Sequence, residues 1–342
     1  MTDNKGNPSG IPQETLHKIE AQTEKRAAAK LRQEAEALKE QLDMTNQQMG
    51  ILLNAQKHLA DTVPQIKALK RKASQSTAVA IASDWHTEEV VFKDRVNGLN
   101  EFNPTVADRR IRAFFERLVY LTSIQRNATD IDTLILALLG DFITGYIHEE
   151  LEETNSMSPA EALVWLLPRI LEVFRYLKKE GGFKRIICPC CVGNHARTTK
   201  KKRVKTMTQN SFEWILYHVL AMSIEGVEFH IAQGYHQLMD VYDQKVRCHH
   251  GDSIRYGGGV GGITIPVNKK IAQWDKSVRA DLDLFGHYHQ SIFERKWICN
   301  GSLIGYSEFA NQIGAEYEPP QQAFFLMKPG RSRTIHSPIF LD

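Results

Sequence analysis

The chain is poor in several features, and each shortage narrows what it can be. No apolar run in its 342 residues approaches the roughly 20 needed to cross a bilayer. The opening MTDNKGNPSG is polar and lacks the apolar segment of a secretory leader. These two absences predict a cytoplasmic protein with no membrane partner, in a host's cytoplasm if virus-encoded. Five cysteines, an odd number, make no disulfide framework. Three of them lie in CPCC (Cys188, Cys190, Cys191), while Cys248 and Cys299 stand alone. No second pair completes a zinc site, so small thiols buried at a strand end account for them better. Charge of one sign is also scarce: the net value is only +3, and attraction to polyanions has to come from local patches. No internal repeat is visible, and no Gly-Lys-Ser/Thr closes YGGGVGGI (256–263) as a phosphate loop requires.

What is present falls into three parts. Residues 1–15 have no periodicity and read as disordered. Within 16–74, small or apolar residues recur at alternating spacings of three and four: Ala28, Leu31, Ala35, Leu38, Leu42, Thr45, Met49, Leu52, Gln56, Leu59 and Val63. Thr45 and Gln56 are weak heptad positions, and Pro64 is a stop. The pattern predicts a coiled-coil-like helix suited to a homo-oligomer or a partner helix, with a single solvated helix lying against the domain as the alternative. Lys67, Lys70, Arg71 and Lys72 form a basic linker. From 75 to 342, near-continuous apolar strands alternate with helical stretches, first as β-α pairs and then with strands dominating. IPVNKKIAQWDKS is the one helix expected in the strand-rich part. A sheet covered on both faces follows, in an α/β class.

Polar residues gather where these strands end. The first ends in Asp84-Trp85-His86, the second in Gly140-Asp141 and the third in Gly193-Asn194-His195. Two later ones end in His249-His250-Gly251-Asp252 and Gly286-His287-Tyr288-His289. Singly, each is a turn or a packed histidine. Carboxyl ends of strands meet at one edge in layered α/β folds, so five such groups can converge. Carboxylate, amide and imidazole ligands suit borderline divalent ions. Their number exceeds one closed tetrahedral site and fits two metals about 3.5–4 Å apart with a shared carboxylate.

In their order and spacing these five blocks resemble the signature of the calcineurin-like metallophosphoesterases: Asp-x-His, Gly-Asp, Gly-Asn-His, a His before Gly, and Gly-His-x-His. The resemblance spans residues 84–289 and implies a four-layer α/β/β/α sandwich. It implies that Asp84, His86 and His289 hold one cation and Asn194, His250 and His287 the other, with Asp141 bridging. It assigns His195 as the non-ligand catalytic imidazole, near the phosphate and its leaving group. The implied cofactors are two divalent ions, with Mn²⁺ foremost and Fe, Ni, Zn or Mg as alternatives. A bridging water would then supply the attacking hydroxide. This chain departs from the family pattern in two blocks. Thr144 replaces the second Asp of Gly-Asp-x-x-Asp, and Ala196-Arg197 follow Gly-Asn-His where an acid is common, so outer support for the ligands is unassigned. Of the adjacent histidines, the family rule selects His250; His249 then belongs to the core or supports a ligand.

The substrate is read from positive charge. Arg197 can form a fork on a phosphate, and Lys200, Lys201, Lys202, Arg203 and Lys205 extend that charge beyond what one phosphomonoester needs. Arg255 precedes the Gly-rich stretch, which reads as a flexible lid or a close approach to substrate. Nucleic acid is therefore the expected partner, with a solvated flap as the bland alternative. The resemblance extends to phage-encoded members and to the Mre11/SbcD-type nucleases. The leading expectation is a nuclease, followed by a small-molecule phosphatase or cyclic-nucleotide phosphodiesterase. A non-catalytic, metal-stabilised assembly module comes last.

Overall fold

The computed structural model describes residues 13–60, 75–256 and 261–342. The chain divides into two units, Met1–Pro64 and Gln65–Asp342. In the first, α1 runs Gln13–Ala60, so the helix begins where disorder was expected to persist. Its composition of Ala, Glu, Lys, Gln and Leu is that of strong helix formers. The side chains of Leu52, Gln56 and Leu59, together with Val63, Pro64 and the basic linker, lie outside the described residues.

The second unit holds two sheets. One has the order β11-β10-β1-β2-β3-β4, made from β1 (Gln75–Ala82), β2 (Asp130–Leu138), β3 (Arg185–Cys190), β4 (Val227–Ile231), β10 (Gln321–Lys328) and β11 (Arg331–Phe340). Strands β1 to β4 are mutually parallel, and β10 and β11 close one side antiparallel. The other sheet runs β5-β6-β7-β9-β8, from β5 (Gln237–Val241), β6 (Gln244–Cys248), β7 (Leu282–Phe285), β8 (Ile292–Phe293) and β9 (Trp297–Cys299). Here β6, β7 and β9 are parallel.

Alternation along β1 explains the layering. Ala78, Ala80 and Ala82 face helices α2 (Pro104–Gln125), α4 (Pro159–Glu180) and α5 (Phe212–Ser223), among Phe114, Leu166 and Leu216. Val79 and Ile81 point the other way, into a core shared with Val246, Leu282 and Leu284 of the second sheet. The outer face of that sheet packs Phe285, Trp297 and Cys299 against Val267 and Ile271 of α6 (Thr264–Trp274). The result is the α/β/β/α order that the resemblance implies. Small side chains on one face of β1 let the helices approach closely, while the larger ones fill the space between sheets.

Local signals place the helix starts. Ser158 caps α4 by accepting from Glu161 N, and the Glu161 carboxylate takes the Ser158 N–H in return. Ser211 caps α5 by accepting from Glu213 N. There are two short helices, α3 (Glu149–Thr154) and α7 (Glu308–Gln312); α7 was not foreseen and interrupts the strand-rich part as a second helix. A buried ion pair is built into the second sheet. Arg247 of β6 is buried and donates to both carboxylate oxygens of Asp283 (2.6 and 3.1 Å) and to Asp275 (2.8 Å).

Candidate metal centre

The strands that carry the polar blocks are β1, β2 and β3 of one sheet and β6 and β7 of the other, and each block follows its strand's carboxyl end. Two packed sheets thus present their ends to one place. Ligand-capable atoms there form three overlapping groups: Asp84, His86 and His289; His86, Asp141 and His195; Asp141, His250 and His287. Within each group the atoms lie within 4.8 Å of one another. His86 joins the first two groups and Asp141 the last two, which is how a bridged pair of sites is built.

Backbone strain is concentrated here. Asp84, His86, Asp141, His287 and His289 all hold positive φ, between 49° and 72°. Among the described residues only Asn97 and Tyr242 share this without being glycine. Such conformers cost roughly 1–3 kcal/mol each and persist where the surroundings impose them. Two glycines allow the close approach. A Cβ on Gly193 would lie 2.0 Å from Asp141 Oδ1, and one on Gly286 would lie 2.1 Å from Asp84 Oδ2.

The hydrogen bonds leave ligand atoms open. His250 Nδ1 pairs with the Leu139 carbonyl at 2.7 Å, so that nitrogen carries a proton and Nε2 is the ring atom turned to Asp141. Nε2 then sits 2.8 Å from Asp141 Oδ2 without the alignment of a hydrogen bond. Two ligand-capable atoms converging in this way suit a shared cation, which would take the place of a proton between them. His86 Nδ1 is 3.1 Å from Thr144 Oγ1, and that hydroxyl donates to Glu89 Oε2 at 3.2 Å. His86 Nε2 and Asn194 Oδ1 are buried without partners. These orphaned atoms are the ones a metal would satisfy, and the residues present fit a pair of divalent ions.

Asp84 accepts the His287 N–H on both oxygens (2.9 and 3.1 Å) and the Ser83 hydroxyl, which Asn300 Nδ2 holds at 2.9 Å. Asp141 Oδ1 accepts from His195 N at 2.8 Å. His195 Nδ1 pairs with the Thr144 carbonyl at 3.0 Å, leaving Nε2 as the ring's other functional atom. Burial pulls the His195 imidazole below its usual value, although the Asp141 charge works against it. Burial also acts on His250, but the adjacent Asp141 carboxylate outweighs it and raises the imidazole to about 10. Burial likewise opposes the low pKa of Asp141, which the His250 charge holds well below the usual carboxylate range.

Outer support comes from residues that the sequence did not single out. Glu213 accepts from Phe142 N and Gly193 N, both at 2.7 Å, tying the second and third blocks together. Burial, followed by the Asp141 charge, pushes its carboxyl up to about 8. Glu88 accepts from Thr144 N (2.7 Å) and Gly145 N (2.8 Å), and burial raises it to about 7. In the sequence Glu213 reads as an ordinary first-turn acid behind a Ser cap, and Glu88 and Glu89 follow the first block without a motif of their own.

His249 faces away from Asp141. Its ring lies nearly parallel to Phe285 (5.0 Å, 9°), with Tyr235 stacked at 5.8 Å and Trp274 edge-on at 4.8 Å. The five cysteines are free and buried.

The basic loop is distributed unevenly. Arg197 spends its guanidinium on the carbonyls of Thr199 (3.1 Å), Asn194 (2.8 Å) and Lys200 (3.4 Å), so it braces the loop that carries Asn194. That use differs from the phosphate fork expected of it. Lys202 pairs with the buried carboxylate of Asp252, which the charges of His250, Lys202 and His287 hold below its ordinary value against burial. Lys200 meets Glu149 at 3.5 Å, both fully in solvent. Lys201, Arg203, Lys205 and Arg255 are exposed. Gly257–Val260, half of the expected lid, lie outside the described residues. His148 is exposed, with its ring 6.3 Å from that of His195.

No protein-family model matches the chain, and no curated protein matches it. Solved structures do. A single-mutant Vps29 from Entamoeba histolytica is 13% identical, with 73% of this chain and 85% of that one covered and a TM-score of 0.30. A hypothetical protein from Pyrococcus horikoshii is 11% identical over 78% and 89%, with a TM-score of 0.37. A putative 5'-nucleotidase from Staphylococcus aureus is 11% identical over 78% of this chain and 55% of its own, with a TM-score of 0.31.

Proposed function

We propose that the chain is a two-metal phosphodiester hydrolase of the calcineurin-like metallophosphoesterase type, with nucleic acid as its substrate. The observation that carries this reading is the set of three overlapping ligand groups sharing His86 and Asp141. Asp84, His86 and His289 would hold one cation and Asn194, His250 and His287 the other, with Asp141 between them. The pair of ions, Mn²⁺ foremost, would neutralise phosphate oxygens and supply a nucleophile at neutral pH.

The chain's own groups do the rest. The Thr144 and Leu139 contacts fix the tautomers of His86 and His250, and Asp141 Oδ1 holds the backbone of His195 in place. The His195 ring, anchored through Nδ1, presents Nε2 for proton exchange with the reacting oxygens. Lys201, Arg203 and Lys205 supply exposed charge along a polyphosphate, which favours nucleic acid over a small ester.

A screen of Mn²⁺, Ni²⁺, Zn²⁺ and Mg²⁺ against single- and double-stranded DNA, RNA, cyclic nucleotides and bis-p-nitrophenyl phosphate tests this reading. Metal-dependent cleavage of a nucleic acid that Asp141→Ala abolishes is the expected result. Turnover confined to small esters would transfer the function to a small-molecule phosphodiesterase. No turnover with any metal would end the enzymatic reading.

A further inference from the structure

We propose that α1 pairs with α1 of a second copy of this chain as a parallel, in-register two-stranded coiled coil. Every described residue of α1 from Glu14 to Gly50 is exposed. Leu31, Leu38, Leu42 and Met49 are 65%, 66%, 59% and 51% exposed. A helix of 48 residues gains little stability from propensity alone and draws it from covering an apolar stripe. Those four side chains form one stripe. With Ala28 as the first a position, Ala35, Leu42 and Met49 are also a, and Leu31, Leu38 and Thr45 are d. Among the described residues of α1, Ile19 and Met44 are the exposed large apolar side chains that fall off this seam.

Charge beside the seam selects both the partner and the direction. Glu34 takes a g position, and Lys39, five residues on, takes the following e position. In a parallel pair of identical helices, g of one meets the next e of the other, giving two Glu34–Lys39 contacts. In an antiparallel pair e meets e, which sets Arg32 and Lys39 of the two copies against each other. The 3.9 Å approach of Lys30 to Glu34 within one helix is an exposed i,i+4 pair and too weak to compete. A second copy therefore satisfies the stripe and its flanking charges together. It would also tether two catalytic units, so that a long polyanion could be held at two points.

Sedimentation equilibrium on the full chain, with and without Leu38→Glu/Leu42→Glu, tests the pairing. The expected result is a mass of two 39.0-kDa chains for the wild type and of one for the double variant. Direction is tested by Leu31→Cys and Met49→Cys, each made singly and treated with a short bis-maleimide. The native cysteines are all buried, so the new thiol is the reactive one. A parallel pair crosslinks at both positions. An antiparallel pair cannot, because the two sites are 18 residues, about 27 Å, apart along the helix. A monomeric wild type, or a dimer that survives the double variant, overturns the proposal. Crosslinking at one position or at neither overturns the parallel arrangement.

Discussion

Thr144 stands where the resembled family carries an acid, and its hydroxyl lies between His86 Nδ1 and Glu89 Oε2. Glu89, behind the first block, thus reaches His86 through that hydroxyl. Partners of this kind set 10–100-fold in metal affinity. Calorimetric Mn²⁺ titration should therefore show Thr144→Val weaker by about that factor and Thr144→Ser near wild type. The two adjacent histidines should separate in the same assay. His250→Ala should lose affinity, whereas His249→Phe, placed in an aromatic cage, should keep it. Equal losses at both positions would contradict the assignment of His250. At this scale the candidate ligands were legible because Asp, Asn and His at strand ends stand out against an apolar background. Glu89, Glu88 and Glu213 were not, because a glutamate near a helix start or in a loop looks the same whether it is solvated or holds two buried N–H groups. Arg197 was legible as charge but not as geometry, since nothing in the sequence shows that carbonyls of its own loop would occupy it.

Elements were read from periodicity and end signals, and those survive best where a strand or helix is buried on one or both faces. The stretch 331–340 escaped because RSRTIHSPIF has no clear alternation and contains Pro338. As the outermost strand of its sheet, β11 tolerates that proline opposite Ala323. The β6–β7 ion pair makes a prediction at this scale. Burial works to raise the Asp283 carboxyl, but the hydrogen bonds and charges of His249 and Arg247 hold it below 3.8. A depressed folded-state value means the unfolded chain binds the proton more readily. The contribution is thus complete above about pH 3.8 and is lost as pH falls through the lower folded-state value. Urea unfolding should show Asp283→Asn destabilised by roughly 3 kcal/mol at pH 7, because Arg247 is left buried with one partner fewer. The gap should narrow below pH 3.8. A gap that stays constant down to pH 2 would contradict the pairing.

Across the whole molecule, the run of strands and helices showed a sheet covered on both faces, the four-layer order came from the family resemblance, and the convergence of two sheets' strand ends brings five weak motifs to one place. The substrate is the part least written in the motifs, because charge on a loop does not reveal which side chains are already paired. With Lys202 held by Asp252, Lys200 near Glu149 and Arg197 bound to its own loop, the exposed charge of the basic loop is left to Lys201, Arg203 and Lys205. Replacing these three with Gln should weaken oligonucleotide binding for every sequence alike. It should also lower the slope of log affinity against log salt by about 2–3. A small-ester enzyme would show no such change in slope.

The proposed function rests on the clustered residues holding a pair of divalent ions around Asp141. Counting the Mn²⁺ bound per chain by calorimetry and by elemental analysis after desalting tests it most directly. Two ions per wild-type chain, with the loss of at least one in Asp141→Ala, is the predicted result. A wild-type chain that retains none, or an Asp141→Ala variant that still binds two with unchanged affinity, would contradict it.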